Sequence, residues 1–248
     1  DGSFNIDGQQ FGGGNGITKS NMIGVNYSDK FGKKMEPSAS YFYNSAENEN
    51  DSRSKVENLL PENKFTTESI GKTRNVNNGN NLNVEFEYKI DSLTTLSIRP
   101  NFKKNNSRYT ATRAQNSVNE FGESLNESNS YSNSNNNSFN FDNSLYFFRK
   151  FKKKGRSVSL NLNNTNSRND SDNQDISSTF FYNLSGNESV IRNLIENNKD
   201  KSNNYSTSIT YTEPVTDSLT FSVGGKYSWR ESVNDKATFD FDEANNNY

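Results

Sequence analysis

The sequence contains no cysteine and no histidine among its 248 residues. The absence of cysteine excludes disulfides and thiolate chemistry. The absence of histidine removes the commonest general base and the commonest transition-metal ligand. Ser-His-Asp and Cys-His nucleophilic sites are therefore impossible within this chain. The sequence predicts no catalytic, cofactor-binding or metal-binding residues, and we expect neither an enzyme nor a bound cofactor.

Hydrophobic residues are scarce as well. They make up 29% of the chain, the mean hydropathy is −1.06, and no apolar run reaches the roughly 18 residues of a transmembrane helix. The net charge of −2 provides no basic field for nucleic acid. Such a composition is typical of disorder. However, aromatic residues make up 12% of the chain and recur with a period of two, which a disordered chain does not require.

The stretch from Asn81 to Lys103 shows this period most clearly. On both sides of the short turn at residues 91–94, every second residue is apolar and the residues between them are polar. The apolar positions are Leu82, Val84, Phe86, Tyr88, Ile90, Leu96, Ile98 and Phe102. A period of two over about ten residues on each side of a turn predicts a β-hairpin with one apolar and one polar face.

The same unit recurs along the chain. The predicted hairpins span residues 17–45, 81–103, 138–164 and 204–231. Their turns lie about 60 residues apart, and turn sequences such as IDSLTTLSI and TDSLTFSV are related. Long Asn- and Ser-rich tracts join the hairpins and are expected to be loops, the last with a short helix at Ser189–Asn197. Residues 1–16 are glycine-rich and are interpreted as a flexible connector.

Tight turns at one end of every hairpin and long polar loops at the other are typical of outer-membrane barrels. Soluble β-sandwiches rarely sustain loops of this length. In lipid, a sheet must leave no backbone group unpaired at an edge, so it closes into a barrel. The apolar face then meets lipid and the polar face lines a wet interior, which explains the low hydropathy. We predict an all-β, antiparallel, up-and-down transmembrane β-barrel, with about eight strands in residues 17–248 as part of a larger barrel.

This orientation assigns each strand face to an environment. The residues predicted to face lipid are Leu82, Val84, Phe86, Tyr88, Ile98, Phe141, Leu160, Ile209 and Phe221. The residues predicted to face the lumen are Glu85, Glu87, Lys89, Arg99 and Lys226. The aromatic residues predicted at the two membrane interfaces are Tyr27, Tyr43, Tyr88, Phe102, Tyr211 and Trp229. The alternative interpretation of these aromatic residues is a general preference for strands.

Other charged clusters have simpler interpretations. The acidic residues within 170–175 and 235–243 match no EF-hand loop and are interpreted as solvated loops rather than Ca²⁺ sites. The basic run at residues 149–156 is interpreted as a solvated turn, with anionic headgroups or a periplasmic protein as the alternative contact.

Several blocks of the sequence resemble a known family. They are GGGNGITKSNMIGVNYSDKFGKKMEPSASYFYN (12–44), EYKIDSLTTLSIRPNF (87–102), KFKKKGRSVSLNLN (150–163) and YTEPVTDSL (211–219). They are similar to the TonB-receptor-like outer-membrane β-barrel proteins of Bacteroidota. The resemblance implies an upstream carboxypeptidase-like regulatory domain and a plug, and it places this chain in the first part of a larger barrel.

The sequence leaves three functions open. The first is a TonB-dependent-receptor-like transporter or channel for solute uptake in the bacterial outer membrane. The second is an outer-membrane barrel with a structural or assembly role, whose long loops bind other outer-membrane or surface proteins. The third is a secreted Asn/Ser-rich β adhesin. In the first two the expected partner is outer-membrane lipid, and none of the three involves nucleic acid.

The opening hairpin generates a direct test of orientation. A charge at Phe86, as in Phe86→Arg, should destabilise the barrel by about 2–4 kcal/mol near the bilayer midplane, because a lipid-facing charge loses its hydration. A charge change at the neighbouring Glu87, as in Glu87→Lys, should be mild. Urea unfolding in lipid vesicles measures both, and equally harmless substitutions would contradict the membrane interpretation.

Overall fold

The computed structural model describes residues 4–6, 9–11, 16–60, 63–182, 186, 188–216 and 218–241. Eight long strands form one antiparallel sheet in which each strand pairs with its neighbours in sequence, in the order β10-β9-β8-β7-β6-β5-β4-β3. These strands are β3 (Ile17–Ser28), β4 (Met35–Leu60), β5 (Asn63–Lys89), β6 (Thr94–Asn119), β7 (Ser124–Lys150), β8 (Ser157–Phe181), β9 (Glu188–Pro214) and β10 (Thr220–Asp240). The predicted all-β, up-and-down antiparallel architecture with about eight strands is confirmed. In the part of the chain that the structure describes, no helix could cross a bilayer.

A short separate ribbon precedes the sheet. Strands β1 (Phe4–Ile6) and β2 (Gln9–Phe11) pair antiparallel with each other. They lie within residues 1–16, which the sequence analysis interpreted as a flexible connector. The other residues of this segment, apart from Gly16, lie outside the described residues.

Four tight turns lie at one end of the sheet, which we call the tight-turn end. The backbone N–H of Phe31 donates to the Met35 carbonyl at 2.8 Å, and that of Phe151 donates to the Arg156 carbonyl at 3.0 Å. Gly32 has a φ of +64° and Gly155 a φ of +84°, a left-handed conformation that glycine adopts without a steric penalty. The turns therefore form where the sequence predicts them.

The polar tracts were expected to be loops, and this prediction is wrong. β4 has 26 residues and β5 has 27, and they pair continuously from Met35↔Tyr88 to Leu60↔Asn63. The tight turns of the predicted hairpins 17–45, 81–103, 138–164 and 204–231 are in the right places, but these limits stop far short of the distal strand ends, except at Ile17, where β3 begins. The tracts pair because a ladder satisfies every backbone donor and acceptor. The sequence conceals this, since period two is visible only when the two faces differ in polarity.

The helix expected at Ser189–Asn197 is also wrong. These residues lie within β9, paired with β8 from Ser189↔Phe180 onward and with β10 from Leu194↔Asp240 onward. The four apolar residues that suggested helical spacing are divided between the two faces of the strand. Pairing on both sides overrides a short local pattern, because an isolated helix of this length is marginal in water.

The sheet has no apolar core. Among the described residues, no large side chain is fully buried. The polar side chains that are buried are small: Ser69, Asn81, Thr94, Ser97 and Ser117. A soluble β-sandwich would instead bury large apolar side chains between two sheets. This sheet consequently depends on its backbone ladders and on contacts along each face.

The sheet is open at β3 and β10. Over the described ranges, β3 pairs with β4 alone and β10 with β9 alone. All 12 residues of β3 are exposed. Each edge strand thus presents a row of unpaired backbone groups, of the kind to which another strand can add.

The polar tracts give a second test. If residues 104–117 and 128–137 form paired strands, their amide hydrogens should be protected from exchange far longer than those of a loop, because ladder bonds must open first. Hydrogen–deuterium exchange of the membrane-embedded protein measures this, with the exposed residues 152–154 of the β7–β8 turn as the fast-exchanging control. Exchange in both tracts as fast as in that turn would contradict the structure.

Candidate functional site

One face of the sheet collects the apolar side chains into a band near the tight-turn end. Register pairs carry it from strand to strand, for example Tyr41↔Leu82, Leu82↔Phe102 and Phe102↔Phe141. All nine residues predicted to face lipid lie on this apolar face: Leu82, Val84, Phe86, Tyr88, Ile98, Phe141, Leu160, Ile209 and Phe221. The structure brings them together, and contact with lipid remains the prediction that follows from it.

The band approaches the height of a membrane crossing. It occupies three to five alternate positions per strand, from Val158 to Leu162 on β8 and from Phe221 to Trp229 on β10. A transmembrane β-strand needs about 9–11 tilted residues. The strands of 25 to 27 residues are therefore much longer than the crossing itself. The remainder, which we call the polar extension, consists of the strand segments beyond Tyr43, Leu82, Phe102, Phe139, Leu162, Tyr205 and Trp229.

The aromatic residues predicted at the interfaces all lie on the apolar face, at its two edges. Tyr27, Tyr88 and Tyr211 lie close to the tight turns, and Tyr43, Phe102 and Trp229 lie at the distal edge. Two ring pairs stack at that distal edge. Phe102 and Phe141 are 4.7 Å apart between ring centroids, and Tyr205 and Trp229 are 5.6 Å apart.

The tyrosine hydroxyls point away from the band at both edges. At the distal edge, the Tyr41 hydroxyl donates to Asn80 Oδ1 at 2.7 Å, and the Tyr205 hydroxyl accepts from Asn166 Nδ2 at 3.1 Å. At the tight-turn edge, the Tyr27 hydroxyl donates to Asp29 Oδ2 at 3.2 Å. A ring on the apolar side with its hydroxyl on the wet side suits a bilayer interface. A general strand preference does not require this orientation.

The opposite face is polar and carries the predicted lumen residues Glu85, Glu87, Lys89, Arg99 and Lys226. Charges of both signs pair on it. Arg99 Nε donates to Glu85 Oε1 at 2.7 Å. Lys89 Nζ lies 3.1 Å from Glu36 Oε1 and 3.5 Å from Glu87 Oε1. Such exposed pairs contribute little stability, but they offset part of the charge on this face.

Sequence reasoning missed Glu36. It lies opposite Glu87 in the β4–β5 register and shares the Lys89 ammonium with it. The sequence did contain a signal for Glu36, because it alternates with the apolar residues of β4 just as the polar residues of that strand do. The proline at 37 removes a backbone donor, which makes this half of β4 a weak strand prediction from sequence.

The polar face carries two grooves. One groove of about 460 Å³ near the tight-turn end has a polar lining that includes Ser28, Ser40, Asn83, Glu85, Arg99 and Asn101. A second groove of about 300 Å³ is lined by Asn163, Thr165, Asn204, Ser206, Ser228 and Arg230 on the same face. Within the first groove the Asn101 side-chain amide donates to Asn81 Oδ1 at 3.0 Å and also to Asn83 Oδ1. These amides and hydroxyls can hydrogen-bond a polar solute.

The described residues contain no group of three or more His, Cys, Asp or Glu side chains that could hold a metal ion. The acidic residues near 170–175 lie on both faces of β8. Asp170 accepts from Arg168 Nε at 2.8 Å, whereas Asp175 accepts from Ser132 on the polar face. Of the second acidic cluster, residues 242 and 243 lie outside the described residues.

A charged cluster fastens the β7–β8 turn to the end of β9, outside the apolar band. Arg156 binds Glu213 through two N–H groups, at 2.7 and 2.9 Å. Lys153 Nζ and the Tyr211 hydroxyl donate to the same carboxylate at 2.7 and 2.6 Å. The Arg156 guanidinium, followed by Lys153 and Tyr211, holds the pKa of the Glu213 carboxyl far below its usual range. Two of the six basic residues in the run at 149–156, Lys153 and Arg156, are therefore bound to Glu213 rather than simply solvated.

The Glu213 cluster predicts a pH dependence. Because its pKa is lowered on folding, the stability that it contributes is present above the unfolded carboxyl pKa of about 4.3 and is lost as the pH falls toward the folded pKa. Glu213→Gln should lower the free energy of unfolding at neutral pH, and the deficit should shrink below about pH 4. Denaturant unfolding across pH measures this. Glu120→Gln, on an exposed distal turn, is the control, and a deficit that stays constant with pH would refute the prediction.

One comparison with known proteins agrees with this geometry. Residues 149–248, which include β8, β9 and β10, match the model of a family described as the outer membrane protein beta-barrel family. No curated protein matched the chain. One solved structure, the transport unit of the autotransporter AIDA-I from Escherichia coli, aligns with 10% identity over 85% of this chain and 88% of that chain. Its TM-score is 0.12, which is too low to indicate a shared fold.

The family match and the antiparallel up-and-down sheet both indicate a β-barrel protein, and the family match indicates the outer membrane. The predicted localisation in the bacterial outer membrane is confirmed. The match supports an outer-membrane barrel family in general. The chain is an outer-membrane β-barrel protein.

Proposed function

We propose that the polar face lines the water-filled interior of a barrel that takes up a polar solute across the outer membrane. One observation carries this proposal. The polar face of the sheet carries two grooves of amide, hydroxyl and paired charged groups, while the apolar band lies on the other face. A barrel with a polar interior conducts or binds hydrophilic molecules. The role proposed is transport, not catalysis.

The charge balance of the polar face narrows the class of solute. Glu85 is paired with Arg99, and Glu36 and Glu87 share Lys89. Paired charges of opposite sign generate a weak net field, so they do not concentrate ions of one sign. The Asn, Ser and Thr side chains between them both donate and accept hydrogen bonds. This chemistry favours an uncharged or zwitterionic hydrophilic solute.

We further propose that the barrel is a TonB-dependent-receptor-like transporter. This proposal rests on four sequence blocks, including residues 12–44 and 87–102, that resemble the TonB-receptor-like barrel proteins. Under this proposal, a plug fills the interior and energised movement of the plug admits the solute. The charge pairs on the polar face are then candidates to contact the plug.

The open edges bear on the size of the barrel. A sheet in lipid with unpaired edge strands would place bare N–H and C=O groups in hydrocarbon. We therefore propose that β3 and β10 each pair with further strands of the same barrel. Direct pairing of β3 with β10 is the alternative, since eight strands can close.

A structural or assembly role is the second candidate, and the polar extension favours it. On the six longest strands, 15 to 19 residues project beyond the distal aromatic edge, roughly 50–60 Å at 3.3 Å per residue. Its outward surface carries charged side chains, including the Arg74–Glu47 and Lys55–Glu68 pairs. Such a wall could bind other surface proteins. The third candidate, a secreted adhesin, does not fit the confirmed outer-membrane localisation.

Deletion in the full-length gene separates the two remaining functions. Removing the plug and the TonB-contact segment should abolish growth on a scarce polar nutrient if the barrel transports it, because the energised step is lost. Growth and solute uptake are measured beside wild type, with outer-membrane levels of the barrel as the control. Unchanged growth, together with a copurifying surface protein that survives the deletion, would favour assembly over transport.

A further inference from the structure

At the distal edge of the band, a row of three cationic side chains and one phenylalanine crosses four strands on the apolar face. Register pairs connect Lys104 to Phe139, Phe139 to Arg168, and Arg168 to Lys201. Neighbouring strands are about 4.8 Å apart, so the backbones of Lys104 and Lys201 lie roughly 14 Å apart. Their long side chains can therefore contact one headgroup of that width.

The position of the row relative to the aromatic edge is fixed by the register. Lys104 comes two residues after Phe102 on β6, and Phe139 two residues before Phe141 on β7. The row thus lies one alternate position beyond the stacked Phe102–Phe141 pair. Tyr41 and Tyr205 direct their hydroxyls to this same distal side. If the band is in the membrane, the row lies at the level of the outer-leaflet headgroups.

The cations in this row are available. Lys104, Phe139, Arg168 and Lys201 are all exposed, and the structure gives Lys104 and Lys201 no ion pair among the described residues. Arg168 is partly neutralised, since its Nε donates to Asp170 at 2.8 Å. The next row outward differs, because there Lys199 has Asp170 and Asp235 as its register partners. Positive charge is therefore concentrated in the row beside the band.

We propose that Lys104, Arg168 and Lys201 bind the phosphates of the outer-leaflet glycolipid, lipopolysaccharide, with Phe139 beneath its sugar–acyl boundary. Charge complementarity supports this partner, since ammonium and guanidinium groups donate charge-assisted hydrogen bonds to phosphate oxygens. The continuity of the row with an apolar face supports a lipid rather than a soluble anion. The proposal rests on the proposed membrane placement of the band, though not on transport.

The test titrates purified lipopolysaccharide into the full-length protein in detergent. In Lys104→Gln/Lys201→Gln, affinity should fall about 25-fold, as about fivefold for each removed charge. The matched control is Lys103→Gln/Arg230→Gln, which removes two positive charges from the polar face and should leave the affinity unchanged. Dephosphorylated lipopolysaccharide should bind wild type and the first double variant equally.

Three results would overturn the inference: equal affinity of wild type and the Lys104/Lys201 variant, an equal loss in the control, or equal binding of phosphatidylglycerol micelles and lipopolysaccharide. Failure of the membrane placement is recognised separately. In that case wild-type protein would leave the outer-membrane fraction without detergent. Protein that needs detergent but ignores lipopolysaccharide contradicts the lipid site alone.

Discussion

The structure depends on one constraint: every backbone N–H and C=O group that enters lipid must have a partner within the protein. An uninterrupted antiparallel ladder meets that requirement from strand to strand. Once the ladder supplies the pairing, side chains need not form a dry core, and the buried polar residues can be as small as Ser69 and Ser97. A chain with 29% hydrophobic residues can then fold as a membrane protein, because apolar side chains are needed only in the band on one face of the sheet.

The same ladder explains why strands continue far beyond the band. In the polar extension both faces meet water, and hydroxyl and amide side chains pair across strands, as in Ser54 with Ser69 at 2.7 Å and Thr67 with Ser117 at 3.0 Å. Each such contact is modest, but it rigidifies a wall that would otherwise be a set of loops. The outward surface adds ion pairs such as Arg74–Glu47. The molecule therefore presents the cell surface with a preorganised sheet.

The sequence was sufficient to predict the strands of the membrane zone but not those of the polar extension, and the reason is physical. From Leu82 to Phe102 the two faces differ in polarity, so alternation identifies the strands, the turn and the residues that share a face. From Lys104 to Asn119 both faces are polar, so alternation carries no information and the strand resembles a loop. The helix prediction at Ser189–Asn197 was wrong for another reason, since apolar residues on the two faces of a strand happened to match helical spacing. Contacts such as Glu36 with Lys89 and Glu213 with Arg156 require the register, which the sequence does not specify.

The central claim is that one face of this sheet meets lipid only in the zone next to the tight turns. A nitroxide scan along β8 tests it directly, because the chain has no cysteine and each introduced cysteine gives a single label within it. In the membrane, collision with oxygen should be high at positions 158, 160 and 162 and low at 159, 161 and 163. Beyond Arg168 the alternation should disappear, and labels on both faces should collide with a water-soluble relaxation agent. An alternation that continues to Phe181, or none at residues 158–163, would contradict the account.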